Sequence, residues 1–152
     1  MREKPLLIGV IGASAASDKG LKNAYDVGRL IAEAGAVLVC GGLGGIMEAA
    51  SRGAAEAGGD IIGILPGATT QEANPYVTLP VVTNMGHARN IIIAQTANSL
   101  IAIEGEYGTL SEMAIALKLG KSVFMMESWE NLVGGTPASS PSEAVSMALK
   151  AA

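Results

Sequence analysis

Cysteine and histidine are almost absent from this 152-residue chain, which contains one of each, Cys40 and His87. A lone cysteine cannot form a disulfide within the chain, and neither residue has companions at metal-ligand spacing, so we expect no metal site. Basic residues are also few, because 10 Lys and Arg stand against 14 Asp and Glu, which gives a net charge of −4. Nucleic-acid backbones are bound by clustered Lys and Arg, so we expect no nucleic-acid partner.

Long apolar runs are missing as well. No run approaches the roughly 18 apolar residues of a membrane-spanning helix, and residues 1–8 lack a signal-peptide pattern, so we expect no contact with a membrane and a cytoplasmic location. Aromatic residues make up only 3% of the chain, whereas 49% is hydrophobic and 20 residues are glycine. This aliphatic, glycine-rich composition is typical of an α/β fold, and the length predicts one domain over residues 1–152.

Apolar runs alternate with helical patterns along the whole chain. Strands are predicted at 6–12, 36–40, 60–65, 99–103 and 122–126, with an edge strand over 77–83 because Pro80 interrupts it. Asp18 is expected to cap the first helix, Gly35 to end it, and residues 144–151 to form the last helix. The alternation predicts a Rossmann-like, doubly wound, mainly parallel sheet with helices on both faces, whose ligands bind at the carboxyl ends of the strands.

Three turns rich in small residues follow strands at that edge, at 12–17, 41–45 and 105–109. Small residues let a ligand approach the backbone and serine hydroxyls donate hydrogen bonds, although glycines also form tight turns where no ligand binds. An NAD-type site is disfavoured, because no Gly-x-Gly-x-x-Gly follows the first strand and no acidic residue ends the second. The residues predicted to contact a ligand are Gly12, Ser14, Gly42, Gly44, Gly45, Gly105, Tyr107, Gly108 and Thr109.

The segment 104–112, Glu-Gly-Glu-Tyr-Gly-Thr-Leu-Ser-Glu, is the most informative of these. A strand that ends in glycine and opens directly into a helix leaves backbone N–H groups unpaired, and together with the helix dipole they favour a phosphate. We expect Glu112 to fall in the first turn of that helix, beside the anion. Its pKa should be lowered there, which would keep the carboxylate ionised and suit an electrostatic or base role.

Three motifs in order resemble a known superfamily. They are Gly-Gly-Leu-Gly-Gly-Ile-Met-Glu-Ala-Ala over 41–50, Ala-Arg-Asn over 88–90, and the segment 104–112. They are similar to motifs of the LONELY GUY phosphoribohydrolases, once called "possible lysine decarboxylases". The whole chain from about residue 6 to 150 looks closest to a short branch that includes molybdenum-cofactor-carrier-like proteins and is distantly related to DNA-processing protein A.

The resemblance implies roles for individual residues. Arg89 and Glu112 match the catalytic arginine and glutamate of the family, and Gly105, Gly108 and Thr109 match positions of its phosphate loop. Three residues depart from the family pattern, which has proline, glycine and lysine where this chain has Glu104, Glu106 and Asn90. Two extra acids beside a phosphate loop would repel a dianion if they pointed inward.

Two functions remain open at this stage. One is a binding protein for a phosphorylated, nucleotide-like molecule such as the molybdenum cofactor, with no resident cofactor required; the other is a nucleoside 5′-monophosphate phosphoribohydrolase. Lysine decarboxylation is excluded, because no lysine is placed to form a Schiff base with pyridoxal phosphate. The helix at 86–97 and the helix that has Glu112 in its first turn and ends at Gly120 are apolar around much of their circumference, so we expect a homo-oligomer, a dimer or tetramer, joined through them.

Overall fold

The computed structural model describes residues 2–132 and 134–152. The strands in these ranges are β1 (Leu7–Gly12), β2 (Val37–Cys40), β3 (Ile61–Leu65), β4 (Leu79–Val82), β5 (Ser99–Ile103), β6 (Val123–Met126) and β7 (Thr136–Pro137). The helices are α1 (Asp18–Glu33), α2 (Ile46–Glu56), α3 (Arg89–Thr96), α4 (Tyr107–Lys118) and α5 (Pro141–Ala151). The predicted alternation of strands and helices is therefore confirmed.

All described strands belong to one parallel sheet, in the order β4-β3-β2-β1-β5-β6-β7. From β1 the chain first builds outward to β4, then returns to the other side of β1 and builds outward from β5 to β7. The strand order therefore reverses between β1 and β5. In such sheets the crevice for a ligand opens at the carboxyl ends of the strands on either side of the reversal.

The core lies on both faces of the sheet. One face packs against α1, α2 and α5, and the other packs against α3 and α4. The inner strands are rich in Val, Ile and Leu, and all five residues of β5 are buried. Burial on both faces explains why the strands show continuous apolar runs instead of an alternating pattern. The predicted Rossmann-like fold is confirmed.

The start of α1 differs from the prediction. Ser17, not Asp18, is the N-cap, because its extended backbone leaves the helix and its hydroxyl accepts a hydrogen bond from the Gly20 N–H. Asp18 is the first helical residue, where its charge still suits the helix dipole. Gly35 follows the helix in the left-handed region, with φ of 78°, as expected for a helix stop.

Helices α1 and α2 touch through their backbones. A Cβ atom built on Gly28 would lie 1.9 Å from the carbonyl oxygen of Ala50, and one built on Gly53 would lie 2.0 Å from the carbonyl oxygen of Tyr25. Only glycine permits this approach at both positions. The two contacts fix the spacing of the helices beside the ligand edge of the sheet.

The edges and connections complete the fold. Strand β4 lies at one edge, as Pro80 predicts, because proline cannot donate to the ladder. The two-residue strand β7 at the other edge was not predicted, and short 3-10 turns occupy Thr70–Glu72 and Gly86–Ala88. No helix in ranges 2–132 and 134–152 combines the length and apolarity needed to cross a membrane.

Candidate functional site

A cavity of about 520 Å³ opens at the reversal of strand order. The ends of β1, β2 and β5 form its floor, and the beginnings of α3 and α4 form its sides. We call it the Arg89 cavity. It is lined by residues 10–15, Gly41, Leu43, Met47, His87, Arg89, Asn90, residues 104–106, Gly108, Thr109 and Glu112.

Arg89 is the first residue of α3, and it is buried, with an exposed fraction of 8%. Its Nη1 donates a hydrogen bond to the Asn90 side-chain oxygen, whereas its Nε is buried and has no hydrogen-bond partner among the described residues. A Cβ built on Gly41 would lie 2.7 Å from Nη2, so the glycine at the end of β2 makes room for the guanidinium. Burial lowers the pKa of Arg89, which nevertheless stays charged at neutral pH. A buried charged donor without an acceptor is what an anion site offers its ligand.

Glu112 contradicts the sequence-based expectation. Helix α4 begins at Tyr107, which places Glu112 in its second turn, beyond the reach of the unpaired N–H groups. The side chain is buried, with an exposed fraction of 7%, and this burial raises the pKa of Glu112 to about 8, although the positive charge of Arg89 opposes the shift. The carboxyl group is therefore mostly protonated at pH 7, which makes it a hydrogen-bond donor. The predicted lowering of its pKa is wrong.

The glycine turn before α4 has the geometry expected of an anion site. Gly105 has φ of 103°, and a Cβ there would collide with the side chain of Thr109, 2.3 Å from its Oγ1. Glu106 is the N-cap residue of α4, but its side chain makes no capping hydrogen bond. The first-turn N–H groups at 107–109 thus receive no acceptor from the N-cap side chain, and the positive end of the helix dipole lies at the cavity.

The two additional acids have different surroundings. Glu104 directly follows β5 with φ of 54°, and its carboxylate accepts hydrogen bonds from the backbone and hydroxyl of Ser17 at the start of α1. Glu106 is exposed at the rim, and its backbone carbonyl accepts a hydrogen bond from Trp129 Nε1 at 3.1 Å. The negative charge of Glu104 is therefore partly satisfied inside the protein, whereas that of Glu106 is not.

The cavity brings together seven of the residues that the sequence selected. These are Gly12, Ser14, Arg89, Gly105, Gly108, Thr109 and Glu112. The other four do not line it. Gly42 lies against Leu65, a Cβ on Gly44 would meet open space, and Gly45 packs against the carbonyl oxygens of residues 13 and 14. Tyr107 is 79% exposed, and its ring lies 5.8 Å from that of Trp129.

Some lining residues were not selected from the sequence. Gly41 and Met47 flank the guanidinium of Arg89, although the glycine turn after β2 had been recognised as a whole. Asn90 had been noted only as a departure from the family pattern, and in the structure it is the acceptor for Arg89. Gly41 could have been selected because it is the first residue after a predicted strand. At that position the backbone comes close to side chains at the carboxyl edge of the sheet.

The parallel sheet, its reversal between β1 and β5 and the cavity at that point define a Rossmann-like α/β protein with a cavity at the strand ends, the position where ligands of such sheets bind. The chain belongs to the SLOG cluster4 family, whose model matches residues 5–150. This confirms the resemblance to the LONELY GUY superfamily.

Two proteins are similar to the chain over nearly its full length. An uncharacterized protein of Archaeoglobus fulgidus is 45% identical over 142 residues, which cover 93% of each chain. The structure of the molybdenum cofactor binding protein from Rippkaea orientalis superposes with a TM-score of 0.92 at 38% identity, and covers 98% of each chain.

Two further similarities are to a carrier protein and to a phosphoribohydrolase. A molybdenum cofactor carrier protein from Chlamydomonas reinhardtii superposes with a TM-score of 0.88 at 31% identity, covering 97% of this chain and 98% of its own. A probable cytokinin riboside 5′-monophosphate phosphoribohydrolase of Oryza sativa subsp. japonica is 35% identical over 94 residues. That match covers 59% of this chain and only 40% of the rice protein.

Proposed function

We propose that this protein binds a phosphorylated, nucleotide-like small molecule in the Arg89 cavity, as a molybdenum-cofactor-carrier-like binding protein. The molybdenum cofactor would be cargo, and no resident cofactor is required. Similarity over the full chain to a molybdenum cofactor binding protein and a carrier protein supports this proposal. The more distant similarity to a phosphoribohydrolase covers only part of the chain.

The observation that carries the proposal is the protonation state of the buried pair. Arg89 contributes a positive charge with one unpartnered N–H, and Glu112, with a pKa of about 8, contributes a neutral O–H at pH 7. Two such donors, with the N-terminus of α4, favour a phosphate dianion. The same arrangement is poor for glycoside hydrolysis, because an oxocarbenium-like transition state needs an ionised carboxylate.

The residues in the cavity suggest a binding pose. The phosphate would lie against the turn 105–109, within reach of Arg89 and Glu112, and Ser14 would donate its hydroxyl from the opposite wall. Apolar side chains at Leu43 and Met47 would contact the flat part of the ligand.

The test is retention of molybdenum. The purified protein is incubated anaerobically with molybdenum cofactor, separated from unbound cofactor by gel filtration, and analysed for co-eluting molybdenum. We expect near-stoichiometric metal for the unmodified protein and at least a tenfold loss for Arg89→Ala. Arg29→Ala is the matched control, because Arg29 lies on the outside of α1 and pairs with Glu33. Equal retention by both variants would refute the Arg89 cavity as the site, and no retention by the unmodified protein would refute the cargo.

Phosphoribohydrolase activity is the second candidate, since Arg89 and Glu112 line the same cavity. The reaction would add water across the bond between C1′ and the base nitrogen, releasing free base and ribose 5-phosphate. Because Glu112 must be ionised for this role, we expect any turnover to increase as the pH rises through about 8. A panel of nucleoside monophosphates at pH 7 and 9 tests it. Base release that disappears in both Arg89→Ala and Glu112→Ala would establish the enzyme.

We extend the proposal to assembly and location. Ile91 on α3 is 45% exposed, and so is Leu119, which immediately follows α4. An apolar surface on this face of the sheet supports a homo-oligomer, dimer or tetramer, joined through these helices. We propose a cytoplasmic protein that has neither a nucleic-acid nor a membrane partner.

A further inference from the structure

A second cavity, of about 580 Å³, lies on the opposite side of the turn that follows β1. It opens between the N-terminal halves of α1 and α2, and we call it the α1–α2 cavity. Ser14 and Ala15 line both cavities, but Arg89 and Glu112 do not line this one. Its volume is in the range of small-molecule sites. The function proposed above does not account for it, although Ser14 and part of the motif at 41–50 line its wall.

Two aromatic side chains line this cavity. The chain has only three tyrosines, one tryptophan and one phenylalanine, and two of the tyrosines, Tyr25 and Tyr76, line this cavity. The Arg52 guanidinium lies over the Tyr25 ring, 4.9 Å from its centroid, and the Tyr25 hydroxyl donates a hydrogen bond to Glu56. These contacts hold the ring and the guanidinium as a flat, ordered wall. Aromatic and guanidinium planes are surfaces on which a planar heterocycle stacks.

Arg52 is the cation of this cavity that can take an anion. The other charged residues that line it are Lys22 and Glu48. Lys22 pairs with Asp26 at 2.8 Å, whereas the ion pairs among the described residues do not include Arg52. The guanidinium of Arg52 therefore stacks on an aromatic ring, and its N–H donors take part in none of those ion pairs. This combination suits a ligand with both a flat ring and a negative group.

We infer that the α1–α2 cavity is a second ligand site, which takes a planar heterocycle carrying an anionic group, of the nucleoside monophosphate class. Tyr25, Tyr76 and Arg52 pack against the ring or its phosphate. The apolar surface of Leu21 and Ala49 completes the wall. The site contains neither Arg89 nor Glu112, so its occupancy does not require the function proposed above, although Ser14 and Ala15 line both cavities.

The test disables the Arg89 cavity before it measures binding in the α1–α2 cavity. In the Arg89→Ala background, AMP and GMP are titrated by calorimetry. We expect saturable binding at one site per chain, weakened at least tenfold by adding Arg52→Gln. Adding Arg29→Gln instead makes the same change of charge on α1 outside the cavity, and should leave the affinity unchanged. Ala49→Phe fills the cavity without changing its charge, and should also abolish binding.

The outcomes separate the two proposals. No nucleotide binding in the Arg89→Ala background, or equal effects of Arg52→Gln and Arg29→Gln, would overturn the second site. Nucleotide binding in that background, together with no retention of molybdenum by the unmodified protein, would instead overturn the proposed cargo alone. Circular dichroism confirms that each variant is folded, and Arg52→Gln alters an exposed side chain, so its result does not depend on whether Ala49→Phe folds.

Discussion

The carboxylate of Glu104 accepts two hydrogen bonds from Ser17, one from the backbone N–H at 3.0 Å and one from the hydroxyl at 2.5 Å. The same hydroxyl accepts a hydrogen bond from Gly20 N–H at the first turn of α1. Glu104 is thereby linked to a helix N-terminus, where a negative charge is stabilised. This explains how an acid stands at the end of β5, beside a phosphate loop, where the family has proline.

The contact predicts an unusually large effect of Ser17→Ala. The substitution removes a helix cap and one partner of Glu104, so the free energy of unfolding should fall by about 2 kcal/mol. Ser140 caps α5 in the same way, because its hydroxyl accepts a hydrogen bond from the Glu143 N–H. Ser140→Ala should lower the free energy of unfolding by only about 1 kcal/mol. Urea unfolding measures both. If the two losses were equal, the bond from Ser17 to Glu104 would contribute nothing to stability.

Glu112 predicts a dependence of stability on pH. Its pKa is about 8 in the folded protein and near 4.5 when unfolded, so the folded state holds the extra proton between these values. The free energy of unfolding should therefore fall as pH rises through that window, with a slope of up to about 1.4 kcal/mol per pH unit. Glu112→Gln is neutral in both states and should lose this slope. Unfolding in urea at pH 5.5, 7 and 8.5 tests this, with Glu130→Gln, which changes an exposed acid, as the control that keeps the slope.

Glu106 should weaken anion binding, because its exposed carboxylate lies at the rim of the Arg89 cavity. We expect Glu106→Gln to strengthen binding of a nucleoside monophosphate roughly three-fold at low salt, and the gain should shrink as salt screens the charge. Calorimetric titration at roughly 20 mM salt, where the charge is weakly screened, and at roughly 300 mM salt, where it is strongly screened, measures the gain in affinity and its loss. Glu130→Gln removes an acid that does not line the cavity and should change little. A gain that is independent of salt would point to altered loop structure instead.

The apolar face of α3 predicts an oligomer that a single charge disrupts. Ile91→Glu should convert a dimer or tetramer to monomer, because a carboxylate would be buried at the interface without a partner. Light scattering at micromolar concentration reports the mass. Leu79→Glu, at an exposed position on the β4 edge, is the matched control and should leave the mass unchanged. A monomeric mass for the unmodified protein would contradict the proposed assembly.

The fold could be predicted from the sequence because its strands are continuous apolar runs and three of its helices, α1, α2 and α4, end just before a glycine. Boundaries such as those of β5 needed no tertiary information. Strand β7 could not be predicted, because two residues carry no periodicity and its pairing depends on β6. The turn at 105–109 was also evident, since a glycine-rich strand-to-helix connection is a local pattern.

The properties of the site depend on tertiary packing, which limited the prediction. Sequence spacing placed Glu112 near a helix start, but its pKa follows from burial among residues distant in the chain. The same applies to Arg89, whose guanidinium occupies a space left by Gly41. Ser14 and Gly45, which the sequence predicts as ligand contacts, line the α1–α2 cavity, but the cavity itself could not be predicted, because its walls come from two helices and the loop that carries Tyr76.

The glycine contacts between α1 and α2 have a consequence for how this protein can diverge. Gly28 and Gly53 set the distance between the helices, and Tyr25 and Arg52, which line the cavity, are neighbours of those contacts in the helices. The width of the cavity is therefore determined by two backbones and not by its lining side chains. A larger residue at either glycine would separate the walls, so selectivity could change across related chains while every residue that touches the ligand stayed the same.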